Sequence, residues 1–198
     1  VRSRGLGDVY KRQFLASILA RTEVDLQDAG DLPDDPGSIT AALADLAGCD
    51  LIVTTGGSSV GEADHMAAAF RRAGGQFAVR GVALKPGKPV MIGRIGAALW
   101  LGLPGTPVAA FTCWHLFGEP LLRGLASLPM VERRTETAAF TAFPRCGRSE
   151  VVLVRLERGV AQALPLLPTA TAIADGLAIL PDTGSELHPG DAITVLPV

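Results

Sequence analysis

Apolar residues recur along this chain at two spacings, and the balance between them changes near residue 130. In the first part, helical and strand periods alternate. Phe14, Leu15, Ile18 and Leu19 repeat at helical spacing, and Val24 and Leu26 lie on one side of a short strand between Thr22 and Ala29. Asp35 then precedes Pro36 and the stripe Ile39, Leu43 and Leu46, the order of an N-cap, a first-turn proline and a buried helix face. Leu51, Ile52 and Val53 form a short, wholly apolar run of the kind found in strands covered on both faces. Gly56 and Gly57 end that run in a turn that opens a helix with Met66, Ala69, Phe70 and Ala73 on one face and Gly74-Gly75 at its end. After the stretch Phe77 to Leu84, a hairpin of residues 90–94 and 97–101 turns around Gly96. A helix starts at Pro107, buries Val108, Phe111, Leu116 and Phe117, and runs with a break at Pro120 towards Leu128. Strands alternating with helices predict an α/β domain whose sheet is mostly parallel and covered on both faces.

Beyond Met130 the helical period disappears. Residues 137–143, 151–156, 159–164, 177–180 and 192–198 are short β-prone segments divided by turn residues, which predicts a small all-β domain, a barrel or a sandwich. The expected organisation is therefore an α/β domain over residues 14–130 and a small β-domain over 131–198. Residues 1–13 lack a sustained apolar run or any period, and are read as a foreign or disordered segment that makes the chain a fragment entered mid-domain.

Composition narrows this picture in a few places. With 198 residues the chain can bury a real core, and a net charge of -2 argues against a nucleic-acid surface, so anion binding must be local. Cys49, Cys113 and Cys146 show no metal-ligand spacing; they read as small hydrophobes in a reducing, cytoplasmic protein. The uncharged stretch from Ile95 to Trp114 is interrupted by Gly102, Pro104, Gly105 and Pro107, which marks it as core rather than a membrane span. Neither nucleic acid nor membrane is expected as a partner.

Candidate chemistry gathers at the strand-to-helix turn. Such turns in open α/β sheets offer backbone N–H groups and a helix N-terminus to an anion. Here the turn also carries the hydroxyls of Thr54, Thr55, Ser58 and Ser59 and the carboxylates of Glu62 and Asp64. That mixture suits a phosphate held together with Mg²⁺, since carboxylates alone would repel the anion. Two further stretches stand out. In Lys85-Pro-Gly-Lys-Pro89 two prolines stiffen a loop from which two lysines project, and Leu103-Pro-Gly-Thr-Pro107 follows the hairpin. Taken singly, each has a plainer reading: a tight turn without a ligand, solvated surface lysines, and a Glu62 that complements a helix N-terminus. His65 reads as a helix-surface histidine, His115 and His188 show no partners, and Trp100, Trp114 and Phe111 read as core.

The three stretches together, in this order, resemble the molybdopterin molybdenumtransferases, the MoeA and gephyrin E-domain type. Thr55-Gly-Gly-Ser-Ser-Val-Gly-Glu-Ala-Asp64 is similar to the family's T-G-G-x-S-x-G-[DE]-x-D turn, Lys85 to Pro89 matches its K-P-G-K-P loop, and Leu103 to Pro107 stands where it has L-P-G-N-P. Gly147-Arg148 with Arg155 looks like its G-R-x-x-F-x-R stretch, and residues 174–181 with Gly190-Asp191 look like its closing strands. The resemblance implies the three-layer α/β/α fold shared with the molybdopterin adenylyltransferases, MogA/MoaB-like, followed by the β-domain. It also implies insertion of molybdate into adenylylated molybdopterin, release of AMP, use of Mg²⁺, and a homodimer. Carried over by position, Asp64, Lys85 and Lys88 are the catalytic set, with Asp64 and Glu62 at the metal. Thr55, Gly56, Gly57, Ser58, Ser59 and Gly61 shape one side of the cofactor pocket, and Pro86, Gly87, Pro104, Gly105 and Thr106 complete it. Family members use fixed cations and a metal, which fits the absence of a nucleophilic Ser or Cys constellation.

The sequence also departs from the pattern. Thr106 replaces the usual Asn of the third motif and loses its amide donor, Asp175 stands where Asn is common, and residues 168–172 lack the Ser-Gly or Ser-His pattern. The family's upstream T-G-D-E segment is not in the chain, which reads as a C-terminal half that binds without catalysing. Two alternatives remain open: an adenylyltransferase of the same fold, which the added β-domain disfavours, and a degenerate binding or scaffolding module.

Overall fold

The computed structural model describes residues 24–33, 35–56, 63–180 and 182–198, and for Ala63 and Asp64 it describes the helix they open but not their side chains. The chain divides into two compact units. One holds the described residues up to Val82 together with Pro89–Ala110, and the other holds Ala83–Lys88 and Phe111–Val198. Met130, where the texture of the sequence changes, lies inside the second unit.

In the first unit, helix α1 (Pro36–Asp45) begins as its sequence predicts: the Asp35 carboxylate accepts from the Ser38 N–H at 2.8 Å, and Pro36 occupies the first turn. Strand β1 (Leu51–Thr55) leads to helix α2 (Ala63–Arg72), which closes at Gly75, whose N–H donates to Phe70 O. Strands β2 (Gln76–Arg80), β4 (Met91–Ile95) and β5 (Ala98–Leu103) complete a sheet of order β1-β5-β4-β2; the two-residue β3 (Leu84–Lys85) belongs to the other unit. Trp100 and its neighbours Leu101 and Leu103 are all buried, so both faces of β5 are covered. Ile39 and Leu43 of α1 join Met66, Ala69 and Phe70 of α2 in one cluster with Ile52, Met91, Ile95 and Trp100. Phe70 stacks on Trp100 with ring centroids 4.2 Å apart. A Cβ at Gly93 of β4 would come within 2.7 Å of the Phe70 ring and 2.5 Å of Gln76 O, which is why that position is bare.

The sheet differs from the expectation of a mostly parallel one. Over the described residues only β1–β5 is parallel, while β4 runs antiparallel to both β5 and β2. The reason lies in connection length: β4 and β5 are joined by a tight turn at Gly96, and a tight turn can join only antiparallel neighbours. The strand expected between Thr22 and Ala29 is also not found over Val24–Ala29, which has no regular structure, and the helix expected around Phe14 to Leu19 lies outside the described residues.

From Pro107 the chain is helical: α3 (Pro107–Cys113), a π-turn (Trp114–Gly118) and α4 (Glu119–Leu125). The irregularity falls at the π-turn, one turn before the predicted break, because Pro120 sits in the first turn of α4, where its missing N–H is not needed. The uncharged 95–114 stretch is thus mainly strand, turn and helix, and among the described residues no helix is long and apolar enough to cross a membrane.

The rest of the second unit is β-rich, as predicted. Strands β6 (Arg134–Ala138), β7 (Ser149–Glu157), β8 (Val160–Ala163), β9 (Gly176–Leu180) and β10 (Ala192–Pro197) run in the order β7-β8-β6-β10-β9, and a β7–β9 pairing closes them into a barrel-like sheet. Short β3 adds to β7 in parallel. Ala138, Val154, Ala161, Ala178, Ile193 and Val195 fill the interior, and closure removes the exposed edges that a five-stranded open sheet would keep.

Candidate functional site

Two of the three motifs lie in the first unit, and the parallel pairing of β1 with β5 brings their ends together. Thr55, the last residue of β1, is in register with Leu103, the last of β5. In parallel strands the carboxyl ends lie side by side, so the glycine turn and the Pro104–Thr106 turn leave the sheet at the same edge. A Cβ at Gly105 would stand 3.8 Å from the Gly56 Cα, ordinary contact distance. Gly56 has φ +91, a left-handed conformation that a side chain resists. Pro104 is buried, Gly105 and Thr106 are exposed, and the Thr106 carbonyl accepts from the Ala110 N–H to start α3. Below the turn, the Thr54 hydroxyl is buried without a hydrogen-bond partner. Gly57, Ser58, Ser59, Gly61 and Glu62 lie outside the described residues, while Asp64 stands in the first turn of α2.

Lys85 to Lys88 of the lysine loop lie in the second unit, and Pro89 begins the return to the first. Lys85 ends β3, the Lys85–Pro86 peptide is cis, Pro86 is half-buried, Gly87 is buried and Lys88 is exposed. Gly87 has φ +130, and a Cβ there would meet Cys113 Sγ at 2.7 Å and Leu84 Cδ2 at 2.9 Å. The Cys113 thiol points at the Gly87 carbonyl, 3.6 Å away, and burial pushes its pKa up to about 12, so it is a packing group and not a nucleophile.

The ammonium of Lys85 lies 3.6 Å from Glu150 Oε2. Glu150 Oε1 accepts from Arg148 at 3.1 Å (Nε) and 2.8 Å (a terminal N–H), and from the Arg145 N–H at 3.4 Å. These donors, the Arg148 side chain first, hold the Glu150 carboxyl below the ordinary range. Sequence reading passed over Glu150, although Arg148 and Glu150 are two apart at the start of a strand, the spacing that sets side chains on one face.

Three other expectations change. His115 has a partner: Nδ1 lies 3.1 Å from Glu119 Oε2, and its ring packs on Phe111 at 4.7 Å. His188 lies 3.5 Å from Glu186. Cys146 is exposed and Cys49 half-buried, so only Cys113 is the small buried hydrophobe expected of all three. Trp100, Trp114 and Phe111 are core as predicted, and His65 is exposed on its helix. Among the described residues no group of three or more His, Cys, Asp or Glu gathers around a common point.

Residues 10–124 match the family described as probable molybdopterin binding domain, a match that covers the glycine turn, the lysine loop and the Leu103–Pro107 stretch. The chain belongs to the molybdopterin-binding domain family. The match begins at residue 10, inside the segment that sequence alone set apart. The resemblance to molybdopterin molybdenumtransferases holds in the relatives of this family member. It is 35% identical over 122 residues to a molybdopterin molybdenumtransferase of Haemophilus influenzae, covering 60% of the chain and 30% of that protein. It is 32% identical over 160 residues to molybdopterin molybdenumtransferase 2 of Mycobacterium tuberculosis, covering 74% of the chain and 39% of that protein. The chain therefore spans well under half the length of both. The crystal structure of a molybdopterin biosynthesis MoeA protein from Pyrococcus horikoshii is similar with a TM-score of 0.72 at 29% identity, covering 85% of this chain and 42% of that one. A molybdenum cofactor biosynthesis protein from Pyrococcus furiosus shares the fold, with a TM-score of 0.76 at 20% identity over 94% of this chain and 63% of that one.

Proposed function

We propose that this member of the molybdopterin-binding family serves molybdenum cofactor biosynthesis as part of a molybdopterin molybdenumtransferase, which inserts molybdate into adenylylated molybdopterin and releases AMP. The observation that carries the reading is the parallel β1–β5 register, which sets Gly56 beside Gly105 and gives two motif turns one common edge of the sheet. A glycine-rich strand-to-helix turn at such an edge suits a phosphate-bearing ligand, and the family's molybdopterin supplies one.

The remaining roles follow the motif positions. Lys85 and Lys88 hold anionic groups of the ligand or molybdate; Thr55, Gly57, Ser58, Ser59, Gly61, Pro104 and Thr106 shape the ligand-facing surface of the first unit, and Pro86 and Gly87 fix the backbone of the lysine loop in the second. Asp64 and Glu62 are hard oxygen donors of the kind Mg²⁺ takes, and the unpartnered Thr54 hydroxyl is a further oxygen at that end of β1. When bound, the ion would offset phosphate charge; the chain's own part is to orient the ligand, fix its anions and exclude water. The proposed setting is a cytoplasmic homodimer.

The test is Asp64→Asn in the longest reading frame that contains this chain. The substitution keeps shape and removes a charge, so molybdate-dependent AMP release should fall by at least about 100-fold, on the order of the loss of one strong electrostatic contact to the reacting groups. The melting temperature should hold. An unchanged rate of AMP release would remove Asp64 from the reaction.

A further inference from the structure

The second unit binds Lys85 to a carboxylate that the family resemblance does not mention. Lys85 and Glu150 are Cα partners in the parallel β3–β7 register, so their pairing is set by the backbone. The two oxygens of Glu150 do different things. Oε1 takes both Arg148 contacts and the Arg145 N–H, whereas Oε2 faces the Lys85 ammonium at 3.6 Å. That distance exceeds a hydrogen bond but is well within Coulombic reach, so the pair restrains the ammonium while leaving its donors available. Exposure is as unequal as the bonding. The Glu150 side chain is 16% exposed and fixed by three donors, while that of Lys85 is 54% exposed and would otherwise sample many rotamers.

We infer that Glu150 is a positioning residue, which holds the Lys85 ammonium in place so that a tetrahedral oxyanion meets it already ordered. The inference rests on the reading of Lys85 as an anion-holding group. A restraint of this kind removes in advance part of the entropy that a mobile lysine loses on binding. The carboxylate's own charge would oppose an anion, but Arg148 offsets it, and the trio Lys85, Arg148 and Glu150 stays net positive. As a stability device alone the half-exposed pair would contribute little.

The test uses AMP and molybdate as probes, titrated separately into the whole chain with Mg²⁺ by calorimetry. Lys85→Ala and Glu150→Gln should each weaken binding of at least one probe by about threefold or more, the size expected of one exposed charge contact. Glu150→Asp should restore most of the loss. The double variant should bind no more weakly than Lys85→Ala alone, because Glu150 acts through the lysine. Which probe responds identifies the anion as the phosphate ester or the oxometalate. Should Glu150→Gln not fold, the Nζ signals of the wild type decide. The chain has three lysines, and Lys85 should show a more ordered ammonium than Lys88 before any ligand is added. Equal mobility overturns the inference. Loss of binding in Lys85→Ala with unchanged or tighter binding in Glu150→Gln overturns it while leaving the anion-holding role of Lys85 intact. Unchanged binding in Lys85→Ala, or no binding of either probe to the wild type, overturns both.

Discussion

At Gly87 the backbone sits at φ +130 with Cys113 Sγ and Leu84 Cδ2 under 3 Å from the place a Cβ would take. Two independent penalties coincide there, a conformation that side chains resist and a space already filled. Gly87→Ala should therefore lower stability by roughly 1–3 kcal/mol, the cost of overpacking a closed site. Thermal unfolding checks this, and a variant as stable as the wild type would mean that the loop shifts freely. The K-P-G-K spelling made this loop visible as a motif, but the partner that makes the glycine necessary, Cys113, is 26 positions away and could not be read from the motif.

Between elements, the helical run from Pro107 shows how one acid can serve two turns. Glu119 opens α4, accepts from Arg123 Nε at 2.9 Å, and faces His115 Nδ1 across the π-turn at 3.1 Å. The contact with His115 is the chief cause that holds its carboxyl below the ordinary range. A depressed folded value means that the unfolded chain binds the proton more readily, so this contribution is complete above the ordinary glutamate range and is lost as pH falls through the folded value. Glu119→Gln should cost roughly 1–2 kcal/mol near neutrality, the range for a part-buried bond to a charged group. That difference should shrink as the solution is acidified through the carboxylate range. Urea unfolding of both proteins across pH supplies the measurement, and a gap independent of pH would assign Glu119 a packing role. The i, i+4 spacing of His115, Glu119 and Arg123 was present in the sequence all along. The break expected at Pro120 would part Arg123 from Glu119 and His115, whereas the helical run in fact continues through Pro120 and keeps the three on one side.

For the molecule as a whole, the three thiols report three environments: Cys146 exposed, Cys49 half-buried and Cys113 buried with its pKa raised to about 12. In the native chain an alkylating reagent near neutral pH should reach Cys146 first and leave Cys113 unmodified until the protein unfolds, when all three should react alike. Peptide mapping after timed labelling tests this, and early modification of Cys113 would mean that its surroundings open readily. Nothing in composition or spacing separates these cysteines, since reactivity follows from what the fold packs around each one.

The sequence by itself determined the elements that depend on near neighbours. Asp35 and Pro36 start α1, Gly74-Gly75 stop α2, the run Leu51 to Val53 lies in strand β1 although only Ile52 of the three is buried, and the segments beyond Met130 are β-rich. Caps, turns and periods act over a few residues, and three motifs in order were enough to point to the family. Tertiary structure alone decided which elements pair. Beyond the Gly96 hairpin, which was already legible in the chain, it set β4 antiparallel to β2, and the β7–β9 pairing turned a row of short strands into a closed barrel. It also joined Thr55 to Leu103 and Lys85 to Glu150, partners 48 and 65 positions apart. Such contacts depend on strand register, which arises from packing across the whole sheet and leaves no local mark on the chain.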